Sequence, residues 1–403
     1  MKLYAQHGHG DGQKTSEALA GGLIEGVIYS PKDITEAKLR ETAAQMRATH
    51  RKADFLFDPQ FYACLAAVDP ASNLGNLDEE ESYTYFHPRR RSQLLSEKQL
   101  MADLSATMQF AATLSVTGII APNIVVPRSF DSAEAAISMD FIRNTREVFD
   151  TLKDKRPVYA TLAVSHDALI QKDELLRFLN DLTMLDNRPD GFYILVGVNR
   201  DDARTELYHA DVIAGWMLVN HVLNLNGYRV INGYSDILTP FLGAAGGYAG
   251  ATGWWSNLRA FSMERFAPPG GGGRLPTERY LSCGLLNRIT YFELESLRNI
   301  VAGVLNRLPT DALYPDGSSQ PPRPQEVLQS WDAIARLNGQ LVRGDIVASL
   351  KACRSALEAT QKLYDRIGMR MPVPLDVRSN DQHIDPLQEG IRLFAALAEL
   401  DLA

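Results

Sequence analysis

Short apolar runs alternate along this chain with segments whose apolar residues recur every three to four positions. Eight such runs stand out: Lys2–His7 (KLYAQH), Ile24–Ser30 (IEGVIYS), Asp54–Asp58 (DFLFD), Gly118–Val126 (GIIAPNIVV), Val158–Ser165 (VYATLAVS), Phe192–Gly197 (FYILVG), Tyr228–Gly233 (YRVING) and Tyr248–Trp255 (YAGATGWW). Near-continuous apolarity marks strands buried on both faces, the habit of parallel sheets. The intervening period predicts helices over Ile34–His50, Lys98–Ser115, Asp131–Leu152, Leu175–Leu185, Tyr208–Leu225 and a short Ile237–Ala244. Asp131 with Glu134 three residues on has the spacing of a capping box. Strand–helix alternation repeated eight times predicts an α/β fold of the (β/α)8 (TIM-type) barrel kind. A doubly wound open sheet is the competitor, and no GxGxxG follows the first run.

Two insertions interrupt the alternation, residues 59–96 and 260–280, and both leave the C-terminal ends of strands. After Thr290 the pattern turns helical over Tyr291–Leu308, Pro324–Leu337, Asp345–Ile367 and Asp385–Leu400, which predicts a barrel over 1–290 and a helical C-terminal region over 291–403. The chain has 403 residues, 45% of them hydrophobic, enough to exclude disorder as the main state. No stretch of about 18 apolar residues predicts a membrane span, and MKLYAQHGHGDG lacks the apolar core of an export signal. Cys64, Cys283 and Cys353 are spaced for neither a disulfide framework nor a four-ligand zinc site, so a reduced, cytoplasmic protein is expected. With 41 Lys+Arg against 49 Asp+Glu the net charge is −8, and any contact with nucleic acid must come from a local basic patch.

Barrel chemistry is carried by the last residues of each strand. Asp58 follows Phe55-Leu56-Phe57 directly and precedes Pro59, which predicts a partly desolvated carboxylate of defined orientation. Such a group serves as nucleophile, general base or stabiliser of a cationic sugar, or it simply caps the next turn. His7 and His9 straddle a glycine as an HxH metal pair does, although a Gly-rich loop also holds plain exposed histidines. Asp58, Asp236 and His166 stand at other strand ends as the further ligands that a metal set requires. Trp254 and Trp255 suit stacking on a base or sugar, and strand alternation directs one of them to the core. Arg89, Arg90 and Arg91, with Arg128, Arg259, Arg265 and Arg274, form either a phosphate-binding rim or a solvated charged surface.

The order of these strand ends resembles the tRNA-guanine transglycosylase superfamily of (β/α)8 barrels over roughly residues 1–260. FDPQFY places Asp58 where the family has its base-contacting aspartate, and Asn123 in APNIVV stands where the family reads the base edge. Ile194-Leu195-Val196-Gly197 is similar to the family's strand-6 segment, and YRVINGYSDILTPFLGAAGGYAGATGWW to its strand-7 to strand-8 stretch. Two departures stand out. The family's nucleophilic aspartate falls on Trp254-Trp255, and its C-terminal zinc cluster has no counterpart here.

Without that nucleophile, the resemblance implies hydrolysis rather than base exchange. It points to the antiviral-defence DNA glycosylases that resemble this superfamily, which excise a modified base from phage DNA and leave an abasic site; glucosylated hydroxymethylcytosine is the substrate it suggests. In that expectation Asp58 is catalytic, and Gln60, Tyr62, Asn123, His166, Tyr234, Trp254 and Trp255 contact the substrate. Arg89, Arg90, Arg91, Arg259 and Arg274 hold backbone phosphates, DNA rather than RNA is the partner, and no cofactor is required. The alternatives are a tRNA base transglycosylase-like enzyme and a metal-assisted barrel hydrolase that uses His7 and His9.

Overall fold

A computed structural model describes the chain apart from residues 11, 80–81, 200–202, 269–276, 302, 318–322, 372–373 and 403. Eight parallel strands form a nearly closed barrel: β1 (Lys2–Gln6), β2 (Gly26–Tyr29), β3 (Asp54–Phe57), β4 (in two pieces, Ile119–Ile120 and Val125–Val126), β5 (Val158–Ser165), β6 (Gly191–Gly197), β7 (Arg229–Asn232) and β8 (Ala249–Thr252). In register, Gln6 stands opposite Ile28, Ile28 opposite Leu56, and Val164 opposite Val196. Closure falls between β3 and β4, where Thr117 N donates to Phe55 O at 2.7 Å and Phe55 N to Thr117 Oγ1 at 2.8 Å. This is the TIM-type barrel that the eight apolar runs predicted.

Strand 4 is split for a local reason. Pro122 supplies no N–H to the ladder, and the gap is bridged by Asn123, whose Nδ2 donates to Thr161 O at 2.6 Å and to Ser138 O at 3.2 Å. Thr161 returns the bond through Oγ1 to Ala121 O at 2.6 Å.

Around the barrel run α1 (Gln13–Ala20), α2 (Glu36–Thr49), α3 (Glu97–Ala112), α4 (Ala133–Thr151), α5 (Lys172–Thr183), α6 (Ala210–Leu225) and α7 (Thr239–Ala244). The sequence pattern did not predict α1, because QKTSEALA buries only Thr15 and Ala18 and so carries almost no apolar stripe. The cap of α4 also differs from expectation. Ser132, not Asp131, accepts from the N3 amide, that of Ala135, at 3.1 Å, while Asp131 pairs with Arg177. The hydroxyl one residue closer to the helix reaches that amide, which leaves the carboxylate free to take the cation.

Beyond β8 the chain forms an antiparallel hairpin, β9 (Arg279–Ser282) with β10 (Asn287–Thr290), where a loop and its exit had been expected. The helix after it covers Tyr291–Leu297 rather than reaching Leu308. Three long helices follow: α8 (Arg323–Leu341), α9 (Ile346–Arg370) and α10 (Ile384–Leu397). α8 lies against α1, α7 and β1, and so completes the helical ring. Its Trp331 Nε1 donates to Thr252 O at the end of β8, and its Gln329 side chain exchanges two 2.9 Å bonds with the backbone of Leu281.

α10 packs on the outer side of α6, which explains why α6 is buried continuously from Val212 to Asn220. A helix apolar all round needs cover on every side. Gly390 makes the contact possible, since a Cβ there would stand 2.7 Å from Ile213 Cγ2. No helix among the described residues is long and apolar enough to cross a membrane.

Candidate active site

Asp58 is the first residue past β3, and its N–H still reaches Tyr29 O at 2.9 Å, so the ladder itself fixes its position. Its two oxygens have separate duties. Oδ1 accepts from Gln60 N at 2.9 Å, closing the turn through Pro59, and Oδ2 accepts from the phenols of Tyr62 (2.9 Å) and Tyr193 (3.3 Å). The carboxyl is 1% exposed. Burial disfavours its charge and pushes it up to about 6, against the pull of these donors and of Arg265. It therefore titrates close to neutrality, the range that suits acid–base work.

Above it sit Tyr234 and Arg265. Arg265 donates to Tyr234 Oη at 2.9 Å and pairs with Asp33 at 2.8 Å, while its own exposure is 8%. Burial works against this charge, and Tyr234 and Asp33 more than offset it, so the guanidinium stays protonated. Lys32 lies alongside, donating to the backbone and side chain of Asn73. Burial first, and Arg265 second, bring its ammonium down to about 8. The segment carrying Arg265 crosses the mouth: Val198 N donates to Phe261 O at 3.0 Å, and the rings of Phe261 and Phe266 stand edge-on to Tyr62 at 5.0 and 6.0 Å.

Two of the strand-end residues here hold backbone that favours glycine, Gln60 (φ 51°) and Tyr234 (φ 54°). Such conformations cost about 1 kcal/mol or more each and persist where the surroundings fix them. Gln60 Oε1 accepts from Lys32 N at 3.1 Å, while its Nε2, Gln6 Oε1 and Arg265 Nε are buried with no partner among the described residues. Unmet donors and an acceptor beside a raised carboxyl make a buried polar cluster of the kind found where polar ligands bind.

The structure thus brings Asp58, Gln60, Tyr62 and Tyr234 together and disperses the other expected residues. Asn123 spends its amide inside the barrel wall, as described above. His166 opens a short helix after β5, with Nδ1 3.3 Å from Gly197 O and Nε2 3.2 Å from Asp167. Strand alternation turns His7 away from its neighbour Gln6, into a cluster with Tyr29 and Trp254 at ring separations of 5.3 and 5.5 Å. Trp255 is exposed. His9 is exposed while His7 is buried, and among the described residues no three His, Cys, Asp or Glu side chains converge on a metal position.

Among the arginines, Arg89 holds Asp103 through two nitrogens at 2.6 and 2.8 Å, and Arg91 pairs with Glu134. Arg90 and Arg128 are exposed. Arg259 turns inward to Trp254 O and Glu326, and Arg274 lies outside the described residues. Asp236, held by Arg288 and by Thr252 Oγ1 at 2.7 Å, belongs to this second network with Arg259, which ties hairpin and α8 to the barrel. Burial opposes the charge of Asp236, yet Arg288 keeps its carboxyl below the ordinary range.

Sequence reasoning missed Lys32, Asp33, Ser30, whose hydroxyl accepts from Gln6 Nε2 at 3.2 Å, Gln6 itself and Tyr193. Ser30-Pro31-Lys32-Asp33 follows β2 directly, so the strand-end rule applied there finds the first three. Tyr193 lies within β6, and only the inward parity of that strand discloses it. Cavities of about 560 and 380 Å3 open at the opposite end of the barrel, between residues such as Lys2, Glu25, Arg188 and Arg229. They touch none of the residues just described, and the rule that barrel chemistry sits at C-terminal strand ends outweighs their size. Compared with known proteins, the chain matches no family model and no curated protein.

Proposed function

We propose that the protein is a hydrolase of the N-glycosidic bond, acting on a modified nucleobase in DNA from the mouth of its barrel. The observation that carries the reading is Asp58, a buried carboxyl at a strand end that two phenols bind and that burial pushes up to about 6. The bond between base and sugar C1′ breaks with its electron pair leaving on the base, which takes up a proton from solvent. The cationic sugar is stabilised by the Asp58 carboxylate and combines with water, whose proton passes to that carboxylate and from it to solvent. The target nucleotide leaves its stack to be processed, and the Phe261–Phe266 segment moves aside to admit it, because Asp58 is sealed beneath it. DNA as substrate, phage defence as the setting and the cytoplasm as the compartment rest on the sequence resemblance.

The test incubates the protein with unmodified and base-modified DNA and scores abasic sites by alkaline strand breakage. Strand breaks that depend on the base modification are expected from the wild type and are lost in Asp58→Asn. Removing a general acid–base group lowers such rates by about 10²–10⁴-fold. Absence of abasic product on every modified DNA, or an unimpaired Asp58→Asn, overturns the proposal.

A further inference from the structure

The loop from β1 to α1 carries a second polar site that is independent of Asp58. Gly10 (φ 125°) and Gly12 (φ 73°) bring this backbone into conformations open to glycine, and α1 then starts at Gln13 with neither a side-chain cap nor an acidic residue in its first turn. The leading N–H groups of α1 have no intrahelical acceptor, and the positive end of the helix dipole lies there.

A separate observation points to a ligand. His7 is 1% exposed, and neither ring nitrogen has a partner among the described residues. A Cβ on Gly12 would stand 3.6 Å from its Nε2, so the imidazole faces the residue that opens the helix. The Trp254 indole meets His7 edge-on with its Nε1 buried, and neither that nitrogen nor the buried Thr15 Oγ1 in the first turn of α1 has a partner among the described residues. Lys14 Nζ, from the same turn, lies 4.4 Å from the Trp254 ring centre. Among the described residues, backbone amides, an indole, a hydroxyl, an imidazole and an ammonium make a set dominated by donors, which suits an anion with several acceptor oxygens. The sequence does not have P-loop spacing, because Gln13 separates Gly12 from Lys14.

We propose that His7, Gly12, Lys14, Thr15 and Trp254 bind a phosphate group at the N-terminus of α1. The site needs no assumption about glycosidic chemistry. If DNA is the substrate, a strand phosphate supplies the group.

The experiment titrates inorganic phosphate, and separately a short single-stranded DNA, into the full-length protein. Calorimetry gives the affinity and 15N NMR of the His7 ring reports the site. Saturable phosphate binding is expected, with shifted His7 ring signals, and weakening of about tenfold or more in Lys14→Gln and in Thr15→Val, the effect of losing one hydrogen bond to a charged group. Lys14 is only partly buried, so Lys14→Gln keeps the test valid if Thr15→Val fails to fold. Competition between DNA and phosphate identifies a strand phosphate as the ligand; phosphate binding without competition identifies free phosphate or a phosphomonoester. No saturable binding of either probe, affinity unchanged in both variants, or zinc taken up at His7 instead overturns the proposal. Asp58→Asn is expected to leave phosphate binding intact, which separates failure of this site from failure of the glycosidic reading.

Discussion

Asp58 ought to make the protein less stable at neutral pH, and by an amount that follows from its surroundings. Burial moves its carboxyl from an ordinary value of 3.8 up to about 6. The folded state therefore holds the Asp58 proton more tightly than the unfolded chain, and its contribution to stability has a definite sign. It is fully present below about pH 4 and is lost as pH rises through about 6. Over that interval the loss amounts to about 3 kcal/mol, at about 1.4 kcal/mol per pH unit of separation. Asp58→Asn keeps the shape, and its amide oxygen still accepts from Gln60 N, while Tyr62 and Tyr193 accept from the amide nitrogen in place of donating. The variant is thus expected to be more stable than the wild type by up to about 3 kcal/mol above pH 7 and equal to it below pH 4. Urea unfolding of both proteins across pH 4–8, followed by circular dichroism, measures the difference directly. Equal midpoints at pH 8, or a variant less stable there, refute the reasoning and mean that Arg265 and the phenols outweigh burial. Stabilisation with loss of abasic product would show a group kept for chemistry at a cost in stability.

Other perturbations test the supports of the site. Arg265→Met removes the partner of Asp33 and a charge that favours ionised Asp58, so it is expected to destabilise by about 3 kcal/mol and to move the rising limb of activity to higher pH. Asn232 accepts from Trp216 Nε1 and exchanges bonds with Asn220 inside the α6 interface. Asn232→Ala strands these buried donors and costs about 2 kcal/mol or more in urea unfolding. Gly390→Ala drives a methyl into Ile213, costing about 1–3 kcal/mol, and faster amide exchange in α10 than in the barrel strands is the expected signature.

Much of the architecture was legible because burial on both faces writes itself into composition. Phe192–Gly197 and Val158–Ser165 are apolar at consecutive positions, since one set of side chains fills the barrel and the other meets the helices. α1 was illegible because it buries two small residues, and the β9–β10 hairpin because its strands have only four residues each and its outer edge at Leu281 is completed by a side chain, Gln329, from a helix 48 residues on. Within the site, the strand-end rule located Asp58, Gln60, Tyr62 and Tyr234. It also led to Asn123, where Pro122 had already interrupted the ladder and the amide was needed to bridge the gap.

By itself, then, the sequence determined the barrel and the carboxylate at its rim. Apolar period and the position of a residue after a strand are local properties that survive without neighbours. Only the tertiary structure decided which strand-end groups come together. His7 and Gln6 are adjacent in the chain yet face opposite ways, and Arg265 reaches Asp33 across 232 residues of chain. It also decided that Arg89 and Arg259 face Asp103 and Glu326. An arginine run has the same sequence on a solvated rim as inside an ion pair, and only its position against a carboxylate distinguishes the two.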